Sequence, residues 1–371
     1  MHVAFFLSHY PSPGGTTTAV DGLASGLEKL GHRITILCDT DSTDRRKRSS
    51  RAIVAVDAPS VIRKKRSQVS TENTLDCLGI DLLVLNGMFH PQLPPLAAAA
   101  RRIGLPYVVA PHGAYHPNSF RSRRLTKRLY FSFFERKLLE SAAAIQVLAF
   151  PHVGFLRDTG IDTATFVLPH GIGTDAVPVV SYSPTDRITI GYLGRMASWQ
   201  KGLDLLIGAF GEVARRDSRL HLILKGPATA ESDSLTRLVS RLRLEERVSF
   251  AGPDRRSFTE SLDGFDVLAL SSRYEGFGLT VLEAMATGRP VLCSTQAGIA
   301  EHVAEAHCGV LVDPTRESIA EGLRQLSAKP DRFPELGSSG RRYVDANLRW
   351  DRIAQRAQIE YERIAGSGKV A

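Results

Sequence analysis

No apolar run in this chain approaches the ~18–20 residues that cross a bilayer, so no membrane-spanning helix is expected. Its four cysteines, Cys38, Cys77, Cys293 and Cys308, are scattered without a close pair. That spacing excludes a disulfide framework and a cysteine zinc site, and predicts buried thiols in a reducing compartment. The first residues, Met1 to Leu7, lack a basic leader and read directly as a strand, so no signal peptide is expected and a cytosolic location is. There is no internal repeat and no low-complexity tract. The basic clusters lack interleaved stacking aromatics and any recognition motif, which counts against a nucleic-acid partner despite a formal net charge of +8.

The 371 residues are enough for two α/β domains, each with its own core. Positive charge concentrates in the first half: residues 1–175 hold 21 Lys/Arg against 14 Asp/Glu, a net +7, while the remainder holds 26 against 25, a net +1. Arg45-Arg46-Lys47-Arg48 and Arg63-Lys64-Lys65-Arg66 read as solvated loops. The third cluster differs. Arg121, Arg123, Arg124, Lys127 and Arg128 run into Leu125, Leu129, Tyr130, Phe133, Phe134, Leu138 and Leu139 at helical spacing. A basic amphipathic helix over 121–139 fits an anionic membrane surface, and it equally fits a helix whose apolar face is core.

Thirteen short β-rich runs alternate with helical patterns, seven before residue 170 and six after 187, the signature of parallel α/β sheets. The Pro/Gly/Ser-rich stretch from His170 to Asp186 has no helical period and reads as a linker. The expected architecture is two doubly wound parallel-sheet domains, 1–175 and 186–349, followed by a helix from Trp350 that packs back on the first. Ligands of such sheets bind beyond the carboxyl ends of the strands, so chemistry is expected just after strands, at a shared cleft.

Several segments meet that expectation. After the first strand, Gly14-Gly15 and Thr16-Thr17-Thr18 precede an amphipathic helix, either as an anion-binding turn or as an ordinary strand–helix connection. The loop is neither Gly-x-Gly-x-x-Gly nor a P-loop, which disfavours a nicotinamide dehydrogenase. Asp39-Thr40-Asp41 ends the second strand; a strand-end turn is the favoured reading over a ribose or metal ligand. Pro111-His112-Gly113 follows an apolar strand, and its histidine is either a cleft residue or a loop residue. Arg195 leaves another strand end and Lys201 precedes a helix, either as a diphosphate clamp or as two solvated cations. In Glu275-Gly276-Phe277-Gly278-Leu279-Thr280, a carboxylate stands before a glycine turn and a helix N-terminus, with Glu283 two turns further on. The amides there form an anion site. Together they suit a phosphorylated sugar with hydroxyls to anchor at both ends.

Gly194-Arg195 with Lys201-Gly202, then Ser271 to Gly278, then Glu283-Ala284-Met285-Ala286 and Gly288-Arg289-Pro290-Val291 closely resemble the retaining nucleotide-sugar glycosyltransferases of family four. The resemblance covers nearly the whole chain and is most specific from Gly194 to Pro314. It implies the GT-B fold, two facing Rossmann-like domains, the first for the acceptor and the second for the donor. By this resemblance Arg195 and Lys201 hold the donor diphosphate, Glu283 the ribose, Glu275 the donor sugar, and His112 the sugar beside the anomeric carbon. The Gly14-Gly15 loop and the amides of Gly276, Phe277, Gly278, Leu279 and Thr280 complete the donor contacts. No cofactor and no metal are implied, since the cations meet the leaving charge. The acceptor is a hydroxyl, with a lipid-linked glycan of a cell-surface polysaccharide as the expected class, reached from the inner face of the plasma membrane. His170 stands where the family more often has Asn, and Lys225-Gly226-Pro227 departs from its usual glycine pattern, which leaves the nucleobase pocket open. A non-hydrolysing sugar-nucleotide epimerase is the alternative within the same fold. No pair of carboxylates at the ~5–5.5 Å spacing of a retaining hydrolase is apparent.

Overall fold

The computed structural model describes residues 1–8, 10, 14–39, 52–56, 68–113, 115–121, 124–173, 177, 179–180, 182, 187–253 and 258–367. The clusters at 45–48 and 63–66, Arg123, and Thr40-Asp41 lie outside the described residues.

The chain divides into two compact units, one of residues 1–171 with 350–371 and one of residues 172–349. In the first, strands β1 (His2–Leu7), β2 (Arg33–Asp39), β3 (Ala52–Val56), β4 (Leu82–Asn86), β5 (Tyr107–Ala110), β6 (Ala144–Val147) and β7 (Thr165–Val167) form one sheet in the order β3-β2-β1-β4-β5-β6-β7. In the second, β8 (Ile188–Leu193), β9 (Leu220–Lys225), β10 (Val248–Ala251), β11 (Val267–Leu270), β12 (Val291–Ser294) and β13 (Gly309–Val312) are ordered β10-β9-β8-β11-β12-β13. Every pairing is parallel. Helices cover both faces of such sheets, so the strands are apolar without alternation. Val3, Ala4, Phe5 and Phe6 are all buried, as are Leu82 to Leu85.

Strand order reverses between β1 and β4 in one unit and between β8 and β11 in the other. Loops diverge at such a point and leave a crevice at the strand ends. The loops that begin at Ser8, Gly87, Gly194 and Ser271 therefore frame the two places where ligands are expected.

The helix Trp350–Ser367 belongs to the first unit. It crosses Gly15–Lys29 so closely that a Cβ on Gly26 would stand 2.8 Å from the Trp350 carbonyl oxygen and 2.6 Å from the Ala354 Cβ. Tyr361, fully buried, donates to the Gln146 side chain at 2.6 Å.

The basic segment is not one continuous α-helix. A helix Arg124–Tyr130 widens into a π turn, Phe131–Glu135, and resumes as Arg136–Glu140. Its apolar residues split between core and solvent. Phe131, Leu138 and Leu139 are core, whereas Leu125 and Phe133 are each 73% exposed and Leu129 is 50% exposed. The π turn brings Glu135 inward, where its carboxylate accepts from the Phe89 amide (2.9 and 3.0 Å) and the Tyr115 hydroxyl (2.9 Å). Burial pushes that carboxyl up to about 7.

Among the described residues no helix is long and apolar enough to cross a membrane. Cys38, Cys293 and Cys308 are buried; Cys77 is exposed, contrary to the expectation of four buried thiols, because it ends a helix of mostly polar residues, Gln68–Cys77.

Candidate functional site

The reversal between β8 and β11 gathers most of the residues singled out in the second half. Chain leaving β8 turns at Gly194 into Arg195, whose backbone oxygen accepts from the Tyr192 hydroxyl (2.7 Å) and the Ala197 amide (2.8 Å). The backbone is fixed while the guanidinium is exposed, with no hydrogen bond or ion pair to a described residue. The short turn Ser198–Lys201 follows. Ser271, at the end of β11, donates to the carbonyls of Lys201 (3.0 Å) and Gly202 (3.1 Å), which locks the two loops together.

Two ion pairs reinforce that lock. Lys201 donates to Glu275, with both side chains mostly buried. Arg273 forks onto the Asp204 carboxylate at 2.8 and 2.7 Å, donates to the Trp199 carbonyl at 2.7 Å, and lies 5.6 Å over the Trp199 ring. Bidentate pairing of this kind fixes direction as well as distance. Sequence reasoning did not assign Arg273 or Asp204. The signal was their position, two residues before Glu275 and three after Lys201.

Gly278 caps the helix Leu279–Ala286 at φ 109°, where a Cβ would meet Ile299 Cγ2 at 3.0 Å and Leu270 Cδ2 at 3.2 Å. Glycine is required there both for its φ and for its packing. Its carbonyl accepts from Val281 (3.0 Å) and Leu282 (3.2 Å), while the amides of Leu279 and Thr280 make no bond to a described residue. Phe277 is buried and its carbonyl takes the Ile299 amide at 2.9 Å, so its ring anchors the turn. Glu283, further along the helix, is partly buried and has no hydrogen-bond or ion-pair partner among the described residues. Burial pushes its carboxyl up to about 7. An ionisable acid held without a donor is set up to receive one from a ligand.

In the first unit, Gly14 precedes the helix Gly15–Lys29 and its carbonyl accepts the Thr18 amide at 3.1 Å. The amides of Gly15, Thr16 and Thr17 thus open the helix without a described backbone partner. Asp39 accepts from the Gln92 side chain at 2.7 Å, in keeping with a strand-end role. His112, with φ 49°, follows β5 and stacks on His170, ring centroids 5.4 Å apart. Asn86, at the end of β4, explains its tautomer. The Asn86 amide nitrogen donates to the carbonyls of Phe6 (3.2 Å) and Val84 (3.3 Å), so its oxygen, 2.7 Å from His112 Nε2, accepts. Nε2 therefore carries the proton and Nδ1 has no described partner. Burial lowers the imidazole to about 4, so the ring is neutral at pH 7. The geometry leaves an acceptor nitrogen, because the donor proton is already engaged. Asn86 too was unassigned; it sits 26 residues away in sequence and only the β4–β5 pairing brings it near.

Lys201 and Glu275 are thus in direct contact, Arg195 and Glu283 are left unpaired in the same unit, and Gly14, Gly15 and His112 belong to the other unit. Among the described residues no group of three or more His, Cys, Asp or Glu side chains is placed to hold a metal ion.

Family comparisons agree with this division. Residues 187–329 match the model described as Glycosyl transferases group 1, and residues 14–171 match the Glycosyl transferase 4-like domain. The chain is 31% identical over 172 residues to mannosylfructose-phosphate synthase of Agrobacterium fabrum, across 44% of this chain and 38% of that protein. It is 26% identical over 366 residues to the lipopolysaccharide core biosynthesis mannosyltransferase LpcC of Rhizobium leguminosarum bv. viciae, across 96% of this chain and 94% of that one. Alignments to other curated relatives span about half or less of those proteins, 50% and 36% for two D-inositol 3-phosphate glycosyltransferases. Among solved structures, sucrose-phosphate synthase from Thermosynechococcus elongatus superposes with a TM-score of 0.79 at 21% identity, covering 99% of each chain. Anabaena Alr3699/HepE, solved in complex with UDP, superposes with a TM-score of 0.77 at 19% identity, covering 98% of this chain and all of that one. The fold is therefore that of these GT-B enzymes, and the epimerase alternative finds no support. With transferase models matching both units over the residues that carry the site, the chain belongs to the group 1 glycosyl transferases.

Proposed function

We propose that the chain is a retaining glycosyltransferase that moves a hexosyl group from a nucleoside-diphosphate donor to an acceptor hydroxyl. The observation that carries this reading is the β8–β11 end of the second unit. There an unpaired guanidinium, an ammonium, two open helix amides and an uncompensated carboxylate stand on loops locked to each other. A nucleoside-diphosphate sugar matches that set group for group. Arg195, Lys201 and the amides of Leu279 and Thr280 take the diphosphate, Glu283 the ribose hydroxyls, and Glu275 the sugar hydroxyls. His112, neutral, accepts from the sugar through Nδ1, and the Gly14-Gly15 turn lies at the matching strand end of the first unit.

Bond breaking follows from that charge distribution. The bond between the anomeric carbon and the β-phosphate oxygen breaks and the acceptor oxygen bonds to the same face. The acceptor's proton passes to the departing phosphate. Positioned cations stabilise charge that develops only at the transition state, worth ~2.7–4 kcal/mol per donor group. Arg195 and Lys201 supply it, and no step is assigned to a metal or a cofactor.

A lipid-linked glycan is the acceptor class this reading favours, with the chain as a peripheral protein on the cytoplasmic leaflet. Exposed Leu125, Leu129 and Phe133 beside Arg128 support it, as does the likeness to LpcC along nearly the whole chain. Failure of the protein to sediment with anionic liposomes at low salt would remove this membrane arm. The transferase reading is tested by thermal shift against a panel of nucleoside diphosphates and their sugars. One of them raises the melting temperature by several degrees; a flat response across the panel overturns the assignment.

A further inference from the structure

The segment from Arg124 to Glu140 carries two ridges, and the donor chemistry uses neither. Leu125, Leu129 and Phe133 recur every four residues and point to solvent. Arg128, Ser132 and Arg136 recur with the same interval one position away, and all three line a cavity of about 680 Å³ in the first unit. Residues four apart on a helix stack on one face, so these are neighbouring stripes. One is apolar and exposed; the other is cationic and forms a pocket wall.

Arg121 supplies a third cation, from the turn after Pro117–Phe120. Phe120, Phe131 and Phe155 form apolar walls, and Asp158 is the one acidic residue in the lining. Arg136 is held in place by bonds to the carbonyls of Thr159 (2.7 Å) and Gly160 (3.2 Å) and by an ion pair with Glu140 (3.3 Å), while Arg128 is exposed and has no hydrogen bond or ion pair to a described residue. Lys127, by contrast, turns inward to the Ser119 carbonyl and the Phe89 ring. A solvated basic face would show all its cations outward with no cavity between them. This volume is within the ~300–1,000 Å³ of small-molecule pockets and exceeds what a lone phosphate needs.

We propose that this pocket is a headgroup site for a phosphate-bearing membrane lipid. Arg128 and Arg121 bind the phosphate, the aromatic wall receives the glycerol and upper chain, and the ridge of Leu125, Leu129 and Phe133 enters the leaflet. The inference deepens the membrane reading above and rests on it for the source of the ligand. It differs by locating a stoichiometric site where that reading needs only a sticky face. Charge complementarity selects the occupant: Arg136 is paired with Glu140, and the two other guanidiniums of the lining, Arg121 and Arg128, stand with a single lining carboxylate, Asp158, which favours an anion, while the phenylalanine walls favour an amphiphile over a free ion.

The experiment uses the full chain and dihexanoyl phosphatidic acid, kept below its micelle concentration, with dihexanoyl phosphatidylcholine as the control. Binding by calorimetry is expected for the phosphatidate at one per chain. Arg128→Ala combined with Arg121→Ala weakens it roughly 10- to 100-fold, the loss of one or two charge-assisted contacts. Leu125→Ser with Leu129→Ser leaves it within about 3-fold while reducing sedimentation with phosphatidylglycerol vesicles, since both residues are exposed and sit outside the pocket. Equal binding of the choline lipid, or phosphatidate binding untouched by the double arginine variant, overturns the headgroup site. No phosphatidate binding combined with normal vesicle sedimentation also overturns it and leaves the membrane reading standing. Arginine-dependent phosphatidate binding without vesicle sedimentation upholds the pocket and removes the membrane reading.

Discussion

The β8–β11 end of the second unit and the Arg124–Glu140 face of the first handle charge in opposite ways. In the second unit two charge pairs are compensated locally, Lys201 with Glu275 and Arg273 with Asp204, and among the described residues Arg195 and Glu283 have no such partner. On the first unit's face the cations Arg121 and Arg128 stand beside exposed leucine and phenylalanine. The acid nearest in sequence, Glu135, is buried under neutral donors. A compensated network holds its members in one geometry and discriminates among small polyanions. An amphipathic face whose exposed Arg128 has no described ion-pair partner tolerates many lateral arrangements and suits a surface. On the function proposed above, the chain separates selection of a soluble donor from adhesion to an extended partner.

The comparison breaks first at Lys201. Lys201→Ala is expected to lower transfer at least ~100-fold without loss of fold, and Glu283→Ala to do the same. Steady-state rates together with circular dichroism melting check both, and near-normal turnover in either variant removes that residue from the machinery. A sharper cut is Glu275→Gln. Because Glu275 is the partner of Lys201, the substitution frees the ammonium for phosphate while weakening the grip on the sugar. Transfer falls roughly 10- to 100-fold, while affinity for the bare nucleoside diphosphate stays within about 3-fold or rises. A parallel loss of both would mean that the pair acts as one unit on the diphosphate.

Smaller effects come from Glu283. Its carboxyl is raised on folding, so the native state binds more protons than the unfolded chain between the ordinary carboxylate range and about 7. Stability contributed at low pH is accordingly lost as pH rises through that window, and Glu283→Gln raises the melting temperature by a few degrees at pH 8 and by little near pH 4.5. Ligand binding runs the other way. Ribose hydroxyls donate to the charged form, so nucleotide affinity declines as pH falls below about 7, by at most ~10-fold per unit, and the Gln variant flattens that slope. Calorimetry at pH 6, 7 and 8 measures both; an unchanged slope in the variant would assign the proton elsewhere.

The same contrast governs how much was legible in the sequence. All thirteen strands are found where their apolar runs put them, because a parallel strand buried on both faces needs no partner to be recognised. The candidate donor residues were legible for a related reason: Arg195, Lys201, Glu275 and Glu283 lie on short loops and one helix, where spacing along the chain fixes placement. Asp204 and Arg273 were not, since their pairing spans 69 positions and depends on β8 lying beside β11. Asn86 escaped notice for the same reason. The basic segment was legible as helical and amphipathic, yet its π turn was not, nor was the division of its apolar residues between core and solvent. That division is decided by what packs beneath, Tyr115 and Phe120 against Phe131, from another part of the chain.

The return of Trp350–Ser367 to the first unit has a consequence for synthesis on the ribosome. The second unit is one uninterrupted stretch, residues 172–349, and all of it is translated before Trp350. It can close while the chain is still growing. The first unit, although translated earlier, lacks the helix that fills the groove at Gly26 until Trp350–Ser367 emerges. Birth order and completion order are therefore reversed, and the older half must wait with an apolar groove uncovered. Nascent chains arrested shortly before residue 350 should present a protease-resistant second unit and a first unit open to cleavage and to chaperones.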